Sequence, residues 1–138
     1  MPVVDASVCV ALFNIEEPGH EASRSWMEQV KRRGEPVVAP VILLAEVAAA
    51  LSRGLDDAAL ADEAVVVLRD FVRLFPVTDA LGTKAAGIAS ARRIRGCDAV
   101  YVTLAHELGM QLVTWDGQQL ERGQGLVEAL QPMPAKQP

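Results

Sequence analysis

Four acidic side chains stand where apolar segments of the sequence begin, end or are interrupted, and carboxylates in such places can do chemistry: Asp5, Glu46, Asp98 and Asp116. Carboxylate oxygens are hard ligands that suit Mg²⁺ or Mn²⁺. Four converging carboxylates would repel one another unless such cations joined them. One or two of these cations can lower the pKa of a bound water and stabilise the oxygen that leaves a phosphodiester. The acids are therefore candidate ligands of a hydrolytic metal site.

Glu46 carries the strongest purely physical argument of the four. It is the only polar residue within residues 41–51, and a helix of that composition is mostly buried. An uncompensated carboxylate there is unfavourable, or its pKa is raised. The alternative is an exposed stripe, whose members three, four and seven residues further on are Ala49, Ala50 and Arg53. Apart from Arg53, this stripe would be small and apolar, which favours a ligand pocket over solvent exposure.

The other three acids have an ordinary alternative, because acids that follow strands or precede helices are common turn and cap residues. Asp5 and Asp116 each follow a β-rich apolar run, and Asp98 precedes a predicted helix. Ligands of open α/β sheets bind beyond the carboxyl ends of the strands, and helix N-termini favour anions. The three positions are compatible with one rim of a sheet. Each acid taken singly still favours the capping interpretation.

Apolar β-rich segments alternate with helical periodicity along the chain, which predicts a mostly parallel sheet with helices on both faces. Strands are predicted over residues 2–4, 36–40, 75–77 and 111–114, with a last one near Leu126. Helices are predicted over residues 8–13, 20–33, 41–53, 58–73, 79–93, 99–108 and 118–122. Ser7 is predicted to cap the first helix, and Gly54 to end the third. The fold class is therefore α/β, with the strand order left open.

Charge and composition narrow the function classes. A net charge of -5 argues against broad, charge-driven nucleic-acid binding, but not against a nuclease whose acids bind metal. No apolar run is long enough for a membrane span, and the first residues lack the pattern of a signal peptide. Cys9 and Cys97 have no metal-binding spacing and are predicted to be buried, reduced thiols. A cytoplasmic location is expected.

Four short motifs, in this order, resemble those of PIN-domain nucleases, and in particular those of VapC-type toxins of prokaryotic toxin–antitoxin pairs. The motifs are Val3-Val4-Asp5-Ala6-Ser7, Leu44-Ala45-Glu46-Val47, Gly96-Cys97-Asp98-Ala99-Val100-Tyr101-Val102-Thr103-Leu104-Ala105 and Leu112-Val113-Thr114-Trp115-Asp116. The resemblance implies a PIN-like α/β/α sandwich, placed at residues 1–131, and residues 132–138 are predicted to be a disordered tail. It also implies RNA cleavage that depends on Mg²⁺ or Mn²⁺, a homodimer, and a small antitoxin protein as partner.

Carried over by position, the resemblance assigns the acidic quartet of catalytic metal ligands to Asp5, Glu46, Asp98 and Asp116. Ser7 and Thr114 correspond to positions that support the quartet through hydroxyl hydrogen bonds. Some members of the family carry a further acid near the fourth motif, where this chain has Gln118 and Gln119. A second metal ion is therefore less well supported than the first.

Three basic residues and one tryptophan near these acids permit two interpretations each. Arg92, Arg93 and Arg95 form either a solvated helix end or a guide for an RNA backbone. Trp115 either stacks on a base or, as is favoured for a residue leaving a buried strand, packs in the core or an interface.

Other functions stay open beside the toxin interpretation: a stand-alone RNA-processing PIN nuclease, a receiver-like interaction domain and a PIN-like binding partner without activity. A receiver would need adjacent acids after its first strand and a late lysine, whereas Ala6 follows Asp5 here. His106-Glu107 begins like a zinc helix but lacks the second histidine.

Overall fold

A parallel sheet lies at the centre of the computed structural model, which describes residues 1–133 of the chain. Its five strands within those residues are β1 (Val3–Val4), β2 (Val37–Pro40), β3 (Val72–Phe75), β4 (Leu112–Val113) and β5 (Ala129–Leu130). They lie in the order β3-β2-β1-β4-β5, and every neighbouring pair is parallel. The α/β prediction is confirmed, and the sheet described here is wholly parallel.

Seven helices cover the sheet in the described part of the chain. They are α1 (Ala6–Phe13), α2 (His20–Arg32), α3 (Leu43–Leu55), α4 (Ala58–Phe71), α5 (Asp79–Arg92), α6 (Gly96–Leu108) and α7 (Gly117–Arg122). Helix α1 packs on α2 and α3, and α3 packs on α4, whereas α5 packs on α6 and α6 contacts β1, β2, β4 and α7. Because crossovers between parallel strands are right-handed, these two groups cover opposite faces.

The direction of strand addition reverses between β1 and β4, and this junction positions the site. From β1 the chain adds β2 and β3 on one side, then crosses to add β4 and β5 on the other. Val3 pairs with Val38 and Leu112, and Val4 pairs with Val113. Val3 and Val4 are fully buried, as expected for a central strand covered on both faces. Ligands of such sheets bind at the reversal point, beyond the carboxyl ends of the strands.

The first helix is capped by Asp5 and not by Ser7, so that part of the sequence prediction is wrong. The Asp5 carboxylate accepts a hydrogen bond from the Ser7 backbone N–H, while Ser7 lies in the first turn of α1. Helix α3 likewise does not end at Gly54. It continues to Leu55 and ends where Asp56 adopts a left-handed conformation with φ 49°. Both differences follow from Asp residues, whose short polar side chains tolerate caps and left-handed turns.

Several other boundaries lie a few residues from their predicted positions. Helix α4 ends at Phe71, so residues 72 and 73, which were predicted to be helical, begin strand β3. Strand β3 ends at Phe75, because Pro76 has no N–H with which to continue a sheet ladder. The last strand is Ala129–Leu130 and not a segment near Leu126, whose N–H bonds back to the Gly123 carbonyl in a turn. Helix α6 begins at Gly96, so Asp98 lies inside its first turn.

The two cysteines differ in exposure. Cys9 is fully buried, and burial raises the pKa of its thiol, so it stays protonated. Cys97 is exposed, so the prediction of a buried thiol is wrong there, because its position on α6 faces solvent while Asp98 and Ala99 face inward. In the part of the chain that is described, no helix has the length and apolarity to cross a bilayer. Of the predicted tail, residues 134–138 lie outside the described residues.

Candidate active site

All four acids line one cleft of about 470 Å³ beyond the carboxyl ends of β1 and β4. Asp5 directly follows β1, and Asp116 caps α7 just after β4. Asp98 comes from the first turn of α6, and Glu46 from the first turn of α3. The four sequence-distant acids are thus brought together by the strand reversal and the N-termini of the helices around it.

Asp5 is held rigidly by hydroxyl groups. Its Oδ2 accepts hydrogen bonds from Ser7 Oγ at 2.6 Å and from Thr114 Oγ1 at 3.0 Å. Each hydroxyl also accepts a backbone N–H, Ser7 Oγ from Trp115 at 3.0 Å and Thr114 Oγ1 from Asp116 at 2.9 Å. The chain leaving β4 therefore fixes the hydroxyls that fix Asp5, which is the supporting position that the sequence resemblance implied for Ser7 and Thr114.

Arg95 bridges two of the acids. Its Nε donates to Asp98 Oδ2 and its Nη2 to Asp116 Oδ2, each at 2.9 Å. Burial raises the pKa of Asp98, and the charges of Asp116 and Asp5 raise it further, whereas the Arg95 hydrogen bond lowers it. The guanidinium thus neutralises part of the charge that a cation would otherwise neutralise.

Glu46 is hydrogen-bonded to Tyr101, a residue that was not predicted from the sequence to be part of the site. The hydroxyl of Tyr101, which is fully buried, donates to Glu46 Oε1 at 2.7 Å. Burial raises the pKa of Glu46, the Tyr101 hydrogen bond lowers it, and the charges of Asp5 and Asp98 raise it. A sequence signal existed, because Tyr101 is the only tyrosine and follows Asp98 by three residues on one helix face. A buried tyrosine hydroxyl requires a partner.

Gln119, which the sequence analysis named only as a glutamine where some family members carry an acid, also hydrogen-bonds to the acids of the cleft. Its Nε2 donates to Asp5 Oδ1 and to Asp98 Oδ1, each at 3.1 Å, and its side chain is fully buried. Its backbone N–H donates to Asp116 Oδ1 at 3.0 Å. No signal in the sequence points to this role, because a glutamine in a short helix is ordinary.

The carboxylate oxygens of the four acids suit a hard divalent cation, but in this structure they accept hydrogen bonds from other side chains of the protein. No group of three or more His, Cys, Asp or Glu side chains within residues 1–133 is arranged to hold one metal ion as it stands. The carboxylates instead accept hydrogen bonds from the guanidinium of Arg95, the amide of Gln119 and the hydroxyl of Tyr101. Binding of a cation would therefore require Arg95, the exposed member of the three, to move aside.

The charge of the cleft is strongly unbalanced. Its described lining has five carboxyl side chains, namely the four acids and Glu17, and one guanidinium, that of Arg95. A polyanion would be repelled from such a cleft. Cations bound by the acids would reverse that repulsion locally.

The three arginines for which an RNA-guiding role was one of two interpretations lie in different places. Arg95 lines the cleft, whereas Arg92 and Arg93 do not. Arg92 Nη1 donates to the carbonyls of Arg122 and Gln124 at 3.0 and 2.7 Å, and the Arg93 carbonyl accepts from the Arg122 guanidinium. Arg92 thus fastens the segment after α7 to the end of α5, so of the three only Arg95 is placed to meet a ligand in the cleft.

Trp115 forms one wall of the cleft, and its half-buried side chain packs against the core. Its Nε1 donates to Ser23 Oγ at 2.8 Å.

A Cβ at Gly19 would lie 2.7 Å from the indole ring of Trp115. Gly19→Ala should therefore displace Trp115 and lower the free energy of unfolding by about 1–3 kcal/mol, measured by urea denaturation and tryptophan fluorescence. Gly82→Ala is the control, because no atom lies within 4 Å of its added Cβ; equal effects of the two substitutions would contradict the packing argument.

The raised pKa values of Glu46 and Asp98 predict how stability depends on pH. In the folded chain the pKa of Glu46 is raised above its ordinary value of 4.5, and the pKa of Asp98 above 3.8, so both carboxyls bind a proton more tightly than in the unfolded chain. The metal-free protein should therefore lose stability as pH rises through the raised values, and regain it as pH falls toward the ordinary ones. Urea denaturation in EDTA, repeated from neutral pH down toward these ordinary pKa values, measures this. Glu46→Gln should flatten the dependence, and an unchanged slope would refute the sign.

The chain belongs to the PIN domain family, whose model matches residues 3–124. This confirms the resemblance found in the sequence motifs. A comparison with curated proteins gives no significant match in sequence.

Solved structures of three proteins share the fold. VapC20 of Mycobacterium tuberculosis, a toxin that cleaves the sarcin–ricin loop, superposes with a TM-score of 0.74 at 22% identity, over 93% of this chain and 98% of that one. VapBC2 of Rickettsia felis, bound to a DNA fragment from its promoter, gives 0.72 at 13% identity over 94% and 97%. FitAcB of Neisseria gonorrhoeae gives 0.67 at 16% identity over 96% and 98%. The predicted PIN-like α/β/α sandwich is confirmed.

Proposed function

We propose that this protein is a ribonuclease that depends on a divalent metal ion, Mg²⁺ or Mn²⁺, and that it is the toxin of a toxin–antitoxin pair. One observation carries the proposal: four acids from four separate parts of a PIN-domain chain line a single cleft. The cleft is too acidic to accept a polyanion unaided, so a cation is an electrostatic requirement as well as a chemical one.

Asp5, Glu46, Asp98 and Asp116 are the residues that would hold the ion. When bound, it supplies a water of lowered pKa and stabilises the oxygen that leaves the phosphodiester. The protein's own contribution is positioning: Ser7 and Thr114 fix Asp5, and Tyr101 fixes Glu46. Arg95, once released from Asp98 and Asp116, is the cleft cation available to a phosphate oxygen. Because Gln118 and Gln119 follow Asp116 in place of acids, one ion is better supported than two.

The toxin assignment rests on the relatives. VapC20 is a toxin that cleaves RNA at the sarcin–ricin loop, and VapBC2 and FitAcB were solved as assemblies. The chain also exposes large apolar side chains, among them Ile15 on the α1–α2 connection and Val66 and Val67 on α4. Exposed apolar residues of this kind suit a protein partner, here a small antitoxin, and a homodimer and a cytoplasmic location complete the proposal.

Incubation of the purified protein with structured and single-stranded RNAs tests the activity. We expect cleavage with Mg²⁺ or Mn²⁺ and none with EDTA. Cleavage that is insensitive to EDTA would overturn the mechanism. Two alternatives remain, a stand-alone RNA-processing nuclease and a PIN-like binding partner without activity. A short open reading frame directly upstream of the gene would favour the toxin over the first, and the absence of cleavage with either cation would favour the second. The receiver-like alternative is not retained, because the chain is a PIN domain.

A further inference from the structure

Gln119 contacts three of the four acids from behind the cleft. Its side-chain amide bridges Asp5 and Asp98 through two hydrogen bonds of 3.1 Å, and its backbone N–H donates to Asp116. The side chain itself is fully buried and does not line the cleft. It therefore holds the acids without competing for the space in front of them.

The orientation of the amide is determined by its surroundings. A flipped amide would place Oε1 against two carboxylate oxygens, so the NH₂ group must face the acids. In that orientation Oε1 is buried and has no hydrogen-bond partner within residues 1–133. A buried carbonyl without a partner lowers stability, and an apolar side chain of the same size would avoid that loss. Local violations of this kind are expected where a side chain serves function.

We propose that Gln119 is a positioning residue for the metal site: its neutral amide sets the separation of the Asp5 and Asp98 carboxylates, so that these two acids are already in place for a divalent cation when Arg95 moves aside. The inference rests on the proposed function, since it presumes that the acids bind metal. Because the amide carries no charge, removing it leaves the net charge of the acids unchanged. Without the amide the two carboxylates are no longer held at the right separation, and no change in their net charge offsets this. The affinity of the site for the cation therefore falls.

Gln119→Met tests this, because methionine matches glutamine in length and removes both N–H donors. Titration of the full chain with Mn²⁺ by calorimetry should show a Kd about 10- to 100-fold higher than that of the unmodified protein. RNA cleavage at saturating Mn²⁺ should recover, while the Mn²⁺ concentration for half-maximal cleavage rises in parallel with the Kd. Gln111→Met, at an exposed site before β4, is the matched control and should leave the Kd within about twofold, well below the change expected for a partner of a metal ligand.

Each other outcome is decisive. An unchanged or lower Kd for Gln119→Met overturns the proposal, and so does cleavage that falls by the same factor at every Mn²⁺ concentration, which marks a purely structural residue. If Gln119→Met does not fold, Gln119→Asn replaces it, since that amide is one methylene too short to reach both acids and must raise the Kd likewise. If the unmodified protein binds no Mn²⁺, both this inference and the proposed function fail. If it binds and cleaves normally while the variants match it, only the role of Gln119 fails.

Discussion

Asp5→Asn should abolish RNA cleavage, with a loss of more than about 100-fold, because even the partners of metal ligands contribute 10- to 100-fold. Asp5 is nearly fully buried and its two oxygens receive hydrogen bonds from Ser7, Thr114 and Gln119. The amide of asparagine keeps the shape of the side chain but removes the charge that a cation requires. Initial rates of cleavage of a labelled RNA at saturating Mn²⁺ measure the effect.

A matched control separates the loss of a ligand from the loss of any acid. Asp62→Asn makes the same change at an exposed position of α4, and it should cleave at the rate of the unmodified protein. Circular dichroism of both variants should show the same helix content. Cleavage by Asp5→Asn at a rate close to that of Asp62→Asn would remove Asp5 from the mechanism.

Mn²⁺ should raise the melting temperature strongly, because it binds the folded chain and relieves repulsion among the acids. At a hundredfold excess over the Kd the stabilisation is about 2.7 kcal/mol, which corresponds to about 8 °C for a domain of this size. Differential scanning calorimetry in EDTA and in Mn²⁺ measures the shift.

Asp98→Asn should separate the two parts of that stabilisation. The raised pKa of Asp98 indicates that its charge is unfavourable in the metal-free fold, so the variant should melt higher than the unmodified protein in EDTA. It should also lose most of the Mn²⁺ shift, because a ligand is gone. Both results are expected of a site that destabilises the fold when the ion is absent and stabilises it when the ion is bound. Equal Mn²⁺ shifts in both proteins would exclude Asp98 as a ligand.

Much of the fold was predictable, because the signals were local and repeated. The alternation of β-rich runs with amphipathic helices predicted the parallel sheet, and Thr78 and Asp57 cap the helices as their positions suggest. The boundaries were less predictable where one residue decided them. Pro76 ended β3 early, and Asp56 took the left-handed turn that Gly54 was expected to provide.

The acids of the candidate site were predictable, whereas the groups that hold them were not. Each acid has its own local signal at a strand end, at a helix start or within an apolar helix. Tyr101 and Gln119 act across 55 and 114 residues of sequence, on Glu46 and Asp5 respectively. A single sequence does not show which of its distant residues come into contact in the folded protein. Arg92 shows the converse, because its place beside the acids in sequence did not put it in the cleft.

Anomalous scattering from a crystal grown in Mn²⁺ would show whether Asp5, Glu46, Asp98 and Asp116 bind one divalent cation. We expect an anomalous peak among these carboxylates, with Arg95 displaced from Asp98 and Asp116 and with Gln119 still hydrogen-bonded to Asp5 and Asp98. A cleft without a peak at saturating Mn²⁺, and with the Arg95 bridge intact, would contradict that expectation.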